Sequence, residues 1–297
     1  MLLKNEMSIK ELEALSGIKA HTIRIWEQRY NIIEPQRTST NIRLYTNEDL
    51  KKLLNISFLN RNGYKISKIA EMGDEERVKK VEELFELSTD YEQQVDALTI
   101  SMVELDENRF EKIITKCTIQ FGFEQMIERV IHPFLEKIGV MWMTNTIHPA
   151  QEHFITNLIR QKLIVAIDGQ PVQRDDAEKY LLFLPEGEIH ELSLLYTNYL
   201  LRSNGKHVIY LGLNVPMADV KAIAELYEPE YLFTIITVNP TQKALEGYLQ
   251  ELGNAISAKI LVTGAQTTSL NGSLPSNIKK LNSVGDMRNV IDGALTV

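Results

Sequence analysis

Through the first 168 residues apolar side chains recur every three or four positions. After that they gather into short, dense runs. The change of period predicts a long helical region followed by strands. At the start, Ser8-Ile9-Lys10-Glu11 has the form of a capping box, and Ile9, Leu12 and Leu15 then mark one helical face. Ser16-Gly17-Ile18 reads as a tight turn. AHTIRIWEQRY follows as a second helix, with Ile23 and Trp26 turned inward. Two short helices around a glycine turn form a helix-turn-helix pattern. Pro35, a polar stretch and the alternating NIRLY predict a small β-wing. Thr46-Asn47-Glu48-Asp49 then caps a helix striped by Leu50, Leu53, Leu54 and Leu59.

From residue 76 to 168 the text is helix after helix: EERVKKVEELFEL, YEQQVDALTISMVEL, NRFEKIITKCTIQF, FEQMIERVIHPFLEKIGVMW and PAQEHFITNLIRQKLIVAI. Breaks fall at Thr89-Asp90, Asp106-Glu107, Gly122 and Thr144-Asn145, and Pro149 sits where a helix can begin. The stretch predicts a bundle of four or five helices. Residues 169–178 have the glycine, proline and charge content of a linker. Beyond it, YLLFLP, HVIYLGLN, YLFTIITV and KILVTGA alternate with helical segments. That alternation predicts an α/β domain over 179–297, with a parallel sheet covered on both faces. The expected chain is thus multi-domain: an all-α winged helix-turn-helix over 1–75, a helical bundle, and a doubly wound sheet.

Charge adds to this division. Residues 1–70 carry 12 Lys/Arg against 7 Asp/Glu, whereas the whole chain is at −8. A basic head on an acidic body points to nucleic acid as the head's partner. No apolar run is long enough for a transmembrane helix, and the N-terminus lacks the form of a secretory signal. A cytoplasmic location is the expectation. Cys117 is the single cysteine, which excludes a disulfide framework and a cysteine metal cluster. There is no phosphate-binding glycine loop, nucleophile elbow or metalloprotease motif, so the expectation is that the chain is not an enzyme.

The second helix offers His21, Thr22, Arg24 and Arg29 on its outer face. Arg37, Arg43 and Tyr45 lie along the wing. Side chains of these types reach base edges and phosphates. The whole string SIKELEALSGIKAHTIRIWEQRYNIIEPQRTSTNIRLYTNEDL resembles the winged helix-turn-helix domain of the MerR transcription regulators. The resemblance implies binding to double-stranded DNA as a homodimer or higher homo-oligomer. The second helix would enter the major groove and the wing arginines would hold phosphates.

The stretch GVMWMTNTIHPAQEHF places nine residues between Trp142 and the pair Glu152-His153. From the residues alone, Trp142 is a core or hinge residue and the pair a first-turn surface feature. His148 with Glu152 and His153 forms a second candidate, a metal site, although the spacing matches no established zinc pattern. In the α/β part, the loop after the first strand, PEGEIHE, puts Glu188 and His190 at the carboxyl edge of the sheet, where such folds bind ligands.

These two stretches together resemble the cobalamin-binding modules with a Rossmann-like sheet, and in particular the adenosylcobalamin photoreceptor regulators of the MerR family. That family carries Asp/Glu-x-His-x-x-Gly, then Ser-x-Leu, then Gly-Gly, below a helical cap with Trp, nine residues and Glu-His. Glu188-Ile189-His190 matches the first element, with Ser193 at the glycine position. Thr234-Ile235-Ile236 falls at Ser-x-Leu, and Gly264-Ala265 at Gly-Gly. The resemblance implies that a cobalamin, adenosylcobalamin or methylcobalamin, is bound. His190 would ligate its cobalt and Glu188 would orient the imidazole. Ser193, Thr234, Ile236, Gly264 and Ala265 would line the nucleotide tail, and Trp142, Glu152 and His153 would cover the upper face. Met143 stands where some light-sensing relatives carry a histidine. Two other readings stay open. One is a drifted sensor acting through a protein partner such as an anti-repressor. The other is a corrinoid carrier in methyl transfer, which the DNA-binding head and the lack of a catalytic barrel disfavour.

Overall fold

The computed structural model of the chain describes residues 7–87, 90–143, 147–174, 176–237, 242–270 and 274–293. Its contacts divide it into two units, Met1–Leu158 and Ile159–Val297.

In the first unit, α1 (Ile9–Ser16) begins at Ser8. The Ser8 hydroxyl accepts from the Glu11 amide, and the Glu11 carboxylate accepts from the Ser8 amide, so two otherwise unpaired helix-start donors are satisfied. The helix ends at Gly17, whose φ of 70° is the left-handed conformation that glycine adopts without strain. α2 (Ala20–Tyr30) follows, burying Ile23 and Trp26. The wing is a two-stranded antiparallel hairpin, β1 (Gln36–Arg37) with β2 (Arg43–Leu44). α3 (Asn47–Arg61) starts from a second capping box, Thr46 with Asp49. α4 (Ile66–Glu71) and α5 (Asp74–Leu87) complete the segment.

α3 is buried from Leu53 to Phe58 and on to Leu59, on every side of the helix. A helix segment buried on every side needs neighbours on every side, and α3 has them: α1 lies against it, as do α5 and α6 (Tyr91–Glu104). The head and the helical middle therefore pack as one body. Asp96 of α6 accepts from both Arg61 of α3 and Lys137. α6 is itself buried without a break from Ala97 to Val103.

α7 (Glu107–Phe121) is capped by Asp106 and ends at Gly122. The next segment departs from the uninterrupted helix that its periodicity predicts. α8 (Phe123–Met126) widens into a π-turn over Ile127–Ile131 before α9 (His132–Met143) resumes. Pro133 explains the change: it has no amide to donate, and its ring crowds the preceding turn. The His132 amide reaches back to the Ile127 carbonyl. α10 (Pro149–Asp168) runs up to the sequence-predicted linker.

The second unit contains the parallel sheet, in the order β4–β3–β5–β6–β7. Its elements run β3 (Lys179–Pro185), α11 (Glu191–Ser203), β4 (His207–Val215), α12 (Met217–Tyr227) and β5 (Tyr231–Ile235). They continue with α13 (Gln242–Ala255), β6 (Lys259–Thr263), β7 (Ile278–Lys280) and α14 (Val284–Ile291). β7 and α14 are elements the sequence pattern did not signal. Leu181 and Phe183 of β3 join α12 and α13 in one apolar cluster. Tyr180, Leu182 and Leu184 are equally buried and alternate to the opposite face. Strand order reverses between β3 and β5, and the crevice at such a reversal is where open α/β sheets take ligands.

Candidate functional site

Two surfaces carry the sequence-predicted residues. The first is the outer face of α2. With Ile23 and Trp26 inside, helical geometry turns His21, Arg24, Ile25, Gln28 and Arg29 to solvent, and all five are exposed. Thr22 is half-buried beside His21, its hydroxyl 3.3 Å from the His21 ring. Arg37 stays exposed on the wing, donating to Asn41 and lying 3.8 Å from the Glu27 carboxylate. Arg43 does not. It gives its Nε–H to both carboxylate oxygens of Glu27, at 3.2 and 3.0 Å, and so pins the wing to α2. Its charge is spent inside the head. Tyr45 is wholly buried, and its main chain pairs with Met7. Burial pushes its phenol up to about 12. Both residues, expected to contact DNA, are placed as scaffold. The alternation in NIRLY permitted either face for Tyr45, and the ion pair of Arg43 spans 16 positions. Ile25 and Gln28 were missed, although four- and seven-residue spacing from His21 marks both.

The second surface is the carboxyl edge of the sheet. Glu188, on the loop after β3, is buried. One carboxylate oxygen accepts from the Ile189 and His190 amides, each at 3.0 Å, and from the His190 ring Nδ1 at 2.6 Å. The other accepts from the Thr237 amide beyond β5 at 2.5 Å. An ionised carboxylate only accepts, so the proton of a neutral His190 ring lies on Nδ1 and Nε2 keeps its lone pair. The His190 side chain is 56% exposed. This is a histidine held by a second partner with its ligating nitrogen free, the arrangement metal-binding histidines use.

Behind it, Glu191 opens α11. Its carboxylate accepts from Tyr210 at 3.0 Å and from Arg160 at 2.6 Å. Burial pushes the Tyr210 phenol far up, and Glu191 adds to the shift, so it stays a donor. The loop is thereby fixed on both sides of His190.

Three loops meet at this edge. The Glu188–Thr237 bond joins the β3 loop to that of β5. Gly264, after β6, approaches the same β5 loop so closely that a Cβ there would lie 2.3 Å from the Ile236 carbonyl oxygen. The close approach expected of Gly264 is therefore to the chain itself. Ile236 is buried, while Ser193 and Ala265 are exposed. Thr234 is fully buried, and its hydroxyl has no partner. An unpaired buried hydroxyl costs about 1–3 kcal/mol, an expense that a polar group of a bound ligand would remove.

In the helical unit, Trp142 lies at the end of α9 and is 42% exposed. Glu152 and His153 open α10, with His153 Nδ1 3.8 Å from the Glu152 carboxylate. His148 takes the Ala150 amide on its own Nδ1 and so caps α10. No group of three potential ligands that could hold a metal ion occurs among the described residues, so the alternative of a His148, Glu152, His153 metal site finds no support. The Met143 side chain and the predicted break at Thr144-Asn145 lie outside what is described. Cys117 is buried, which pushes its thiol up to about 11.

Residues 7–76 match the model of the MerR HTH family regulatory proteins, and residues 94–166, from α6 into α10, match that of the B12 binding domain. The chain thus joins a MerR-type HTH segment to a segment that matches the B12 binding domain. The HTH-type transcriptional repressor CarH of Myxococcus xanthus is similar to this chain at 25% identity, over 82% of each. The repressor CarA of the same organism is 25% identical over 75% of this chain and 74% of its own. The regulator MlrA of Escherichia coli is 32% identical over 24% of this chain, covering 29% of its own length. Among solved structures, the monomethylamine corrinoid protein of Methanosarcina barkeri superposes with a TM-score of 0.51 at 16% identity, over 68% of this chain and 97% of that one. That likeness concerns the fold. No described helix of the chain is long and apolar enough to cross a membrane.

Proposed function

We propose that this regulator binds duplex DNA as a homodimer or higher homo-oligomer, and that a cobalamin controls that binding. DNA is taken by the outer face of α2, with His21, Thr22, Arg24 and Arg29, and by Arg37 of the wing. The observation that carries the cofactor reading is the Glu188–His190 pair, 2.6 Å apart, with the free ring nitrogen on an exposed edge. Bound there, a cobalamin would supply a cobalt centre with an exchangeable organic ligand. His190 would be the residue that holds the metal, through Nε2. Glu188 keeps the opposite nitrogen protonated and sharpens the ring's basicity. The Thr234 hydroxyl, buried and unpaired, meets the polar part of the nucleotide tail, beside Ile236 and Gly264. Ser193 and Ala265 project to solvent, so their added bulk does not close the edge. Trp142, Glu152 and His153 would be further cofactor contacts. A ligand that favours one arrangement of the helical unit shifts the number of heads engaged at once, and two tethered heads bind far more tightly than one.

The test is direct. The purified chain is mixed with adenosylcobalamin in the dark and desalted, and its visible spectrum is recorded before and after green light. Retained cofactor with a histidine-ligated spectrum is expected, and His190→Ala should lose that spectrum while keeping DNA affinity in the absence of cofactor. If the cofactor washes off the wild-type chain, the sheet edge is instead a docking surface for a protein such as an anti-repressor. Methyl- and adenosylcobalamin are compared in the same assay.

A further inference from the structure

The exposed stripe of α2 contains one apolar residue, which the DNA-binding reading has not used. His21, Arg24, Gln28 and Arg29 can all donate hydrogen bonds to phosphates or base edges. Ile25, at the centre of the stripe, cannot. It is 43% exposed, and the inner face of the helix is already filled by Ile23 and Trp26. A single exposed apolar side chain is ordinary on a protein surface. The distribution here is not. Among the described residues of the head, two large apolar side chains are exposed, Ile25 on α2 and Ile42 on the wing at 59%. Both lie on the two elements assigned to DNA, and a β-branched residue is among the weaker choices for a solvent-facing helix position.

Duplex DNA offers one apolar feature in the major groove, the 5-methyl group of thymine. We infer that Ile25 is a specificity-determining residue that packs on a thymine methyl, between flanking contacts made by Arg24, Gln28 and Arg29. The inference rests on the proposal that α2 enters the major groove. It adds a preference that the polar residues do not impose. The basic side chains attract any duplex, whereas a buried methyl contact requires thymine at one position in each half-site.

The experiment starts by selecting tightly bound duplexes from a random pool with the full chain, without cofactor and with adenosylcobalamin in the dark. In the selected sequence each thymine is then replaced in turn by uracil, which removes the methyl and leaves every hydrogen-bonding group in place. At one thymine per half-site the wild-type chain should lose about fourfold in affinity, the worth of one buried methyl. Ile25→Ala should bind thymine and uracil equally there. Ile42→Ala should keep the fourfold preference, because its residue lies on the wing. If no thymine is sensitive, or if Ile25→Ala retains the same sensitivity, Ile25 does not read the methyl, even though the chain binds a specific sequence. If neither state selects any sequence, sequence-specific DNA binding itself fails, and this assignment fails with it.

Discussion

Two glutamate–histidine pairs can be compared in this molecule. Glu188 and His190 stand two positions apart on a loop. The carboxylate is buried, three main-chain amides and the ring point at it, and the ring nitrogen sits at 2.6 Å. Glu152 and His153 are consecutive on a helix, where successive side chains diverge by about 100°. They lie 3.8 Å apart, with His153 70% exposed. The same two residue types thus make a preorganised ligand in one place and a loose surface pair in the other. What separates them is backbone. A loop can fold its amides around a carboxylate, whereas a helix has already committed most of its own. The sheet edge is built before any ligand arrives, whereas in the first turn of α10 the Glu152 and His153 side chains are not locked to one another.

The sharpest way to break this comparison is to remove each glutamate. Glu188→Ala leaves three amides without their acceptor and should lower stability by about 3 kcal/mol or more. Glu152→Ala should stay within about 0.5 kcal/mol of the parent. Denaturant midpoints of the two variants decide it, and equal losses would abolish the distinction. A smaller change sharpens it. Thr234→Val removes a buried hydroxyl that has no partner, so the chain without cofactor should be as stable as before or firmer by about 1 kcal/mol. Cobalamin retention after desalting should fall in the same variant. A loss of stability without loss of retention would show that the hydroxyl serves the fold.

The smallest expected effect comes from a third histidine. Burial holds His132 below its ordinary pKa, against the opposing pull of Glu128 and Glu136. The unfolded chain takes up a proton that the folded chain resists. The contribution is therefore present in full above the ordinary histidine range and is lost as pH falls through it. His132→Gln should flatten the loss of stability between pH 7 and pH 5, by less than about 1.4 kcal/mol per unit. A slope unchanged in this variant would show that His132 does not carry the acid sensitivity.

What was legible in the sequence was mostly local. The capping boxes at Ser8 and Thr46, the turn at Gly17 and the α2 boundaries follow from residues within a few positions of one another. Glu188-x-His190 was legible for the same reason. The parallel sheet was legible from its dense apolar runs, apart from β7, whose three residues include two lysines. Long-range pairings were not. The capture of Arg43 by Glu27 cannot be read from either residue alone. The Thr237 amide that completes the Glu188 site is a backbone group and leaves no mark in the side-chain code. Pro133 was visible, but whether a helix breaks, kinks or widens around a proline depends on what packs beside it.

The enclosure of α3 has a consequence for anyone who treats such proteins as interchangeable parts. A head cut free near residue 75 would lose the α5 and α6 walls that pack on α3, and with them the Asp96 partner of Arg61. Transplanting a foreign sensor behind this head, or this sensor behind a foreign head, would have to carry α5 and α6 along with α3. The portable piece therefore runs from α1 through α6 and does not end near residue 75.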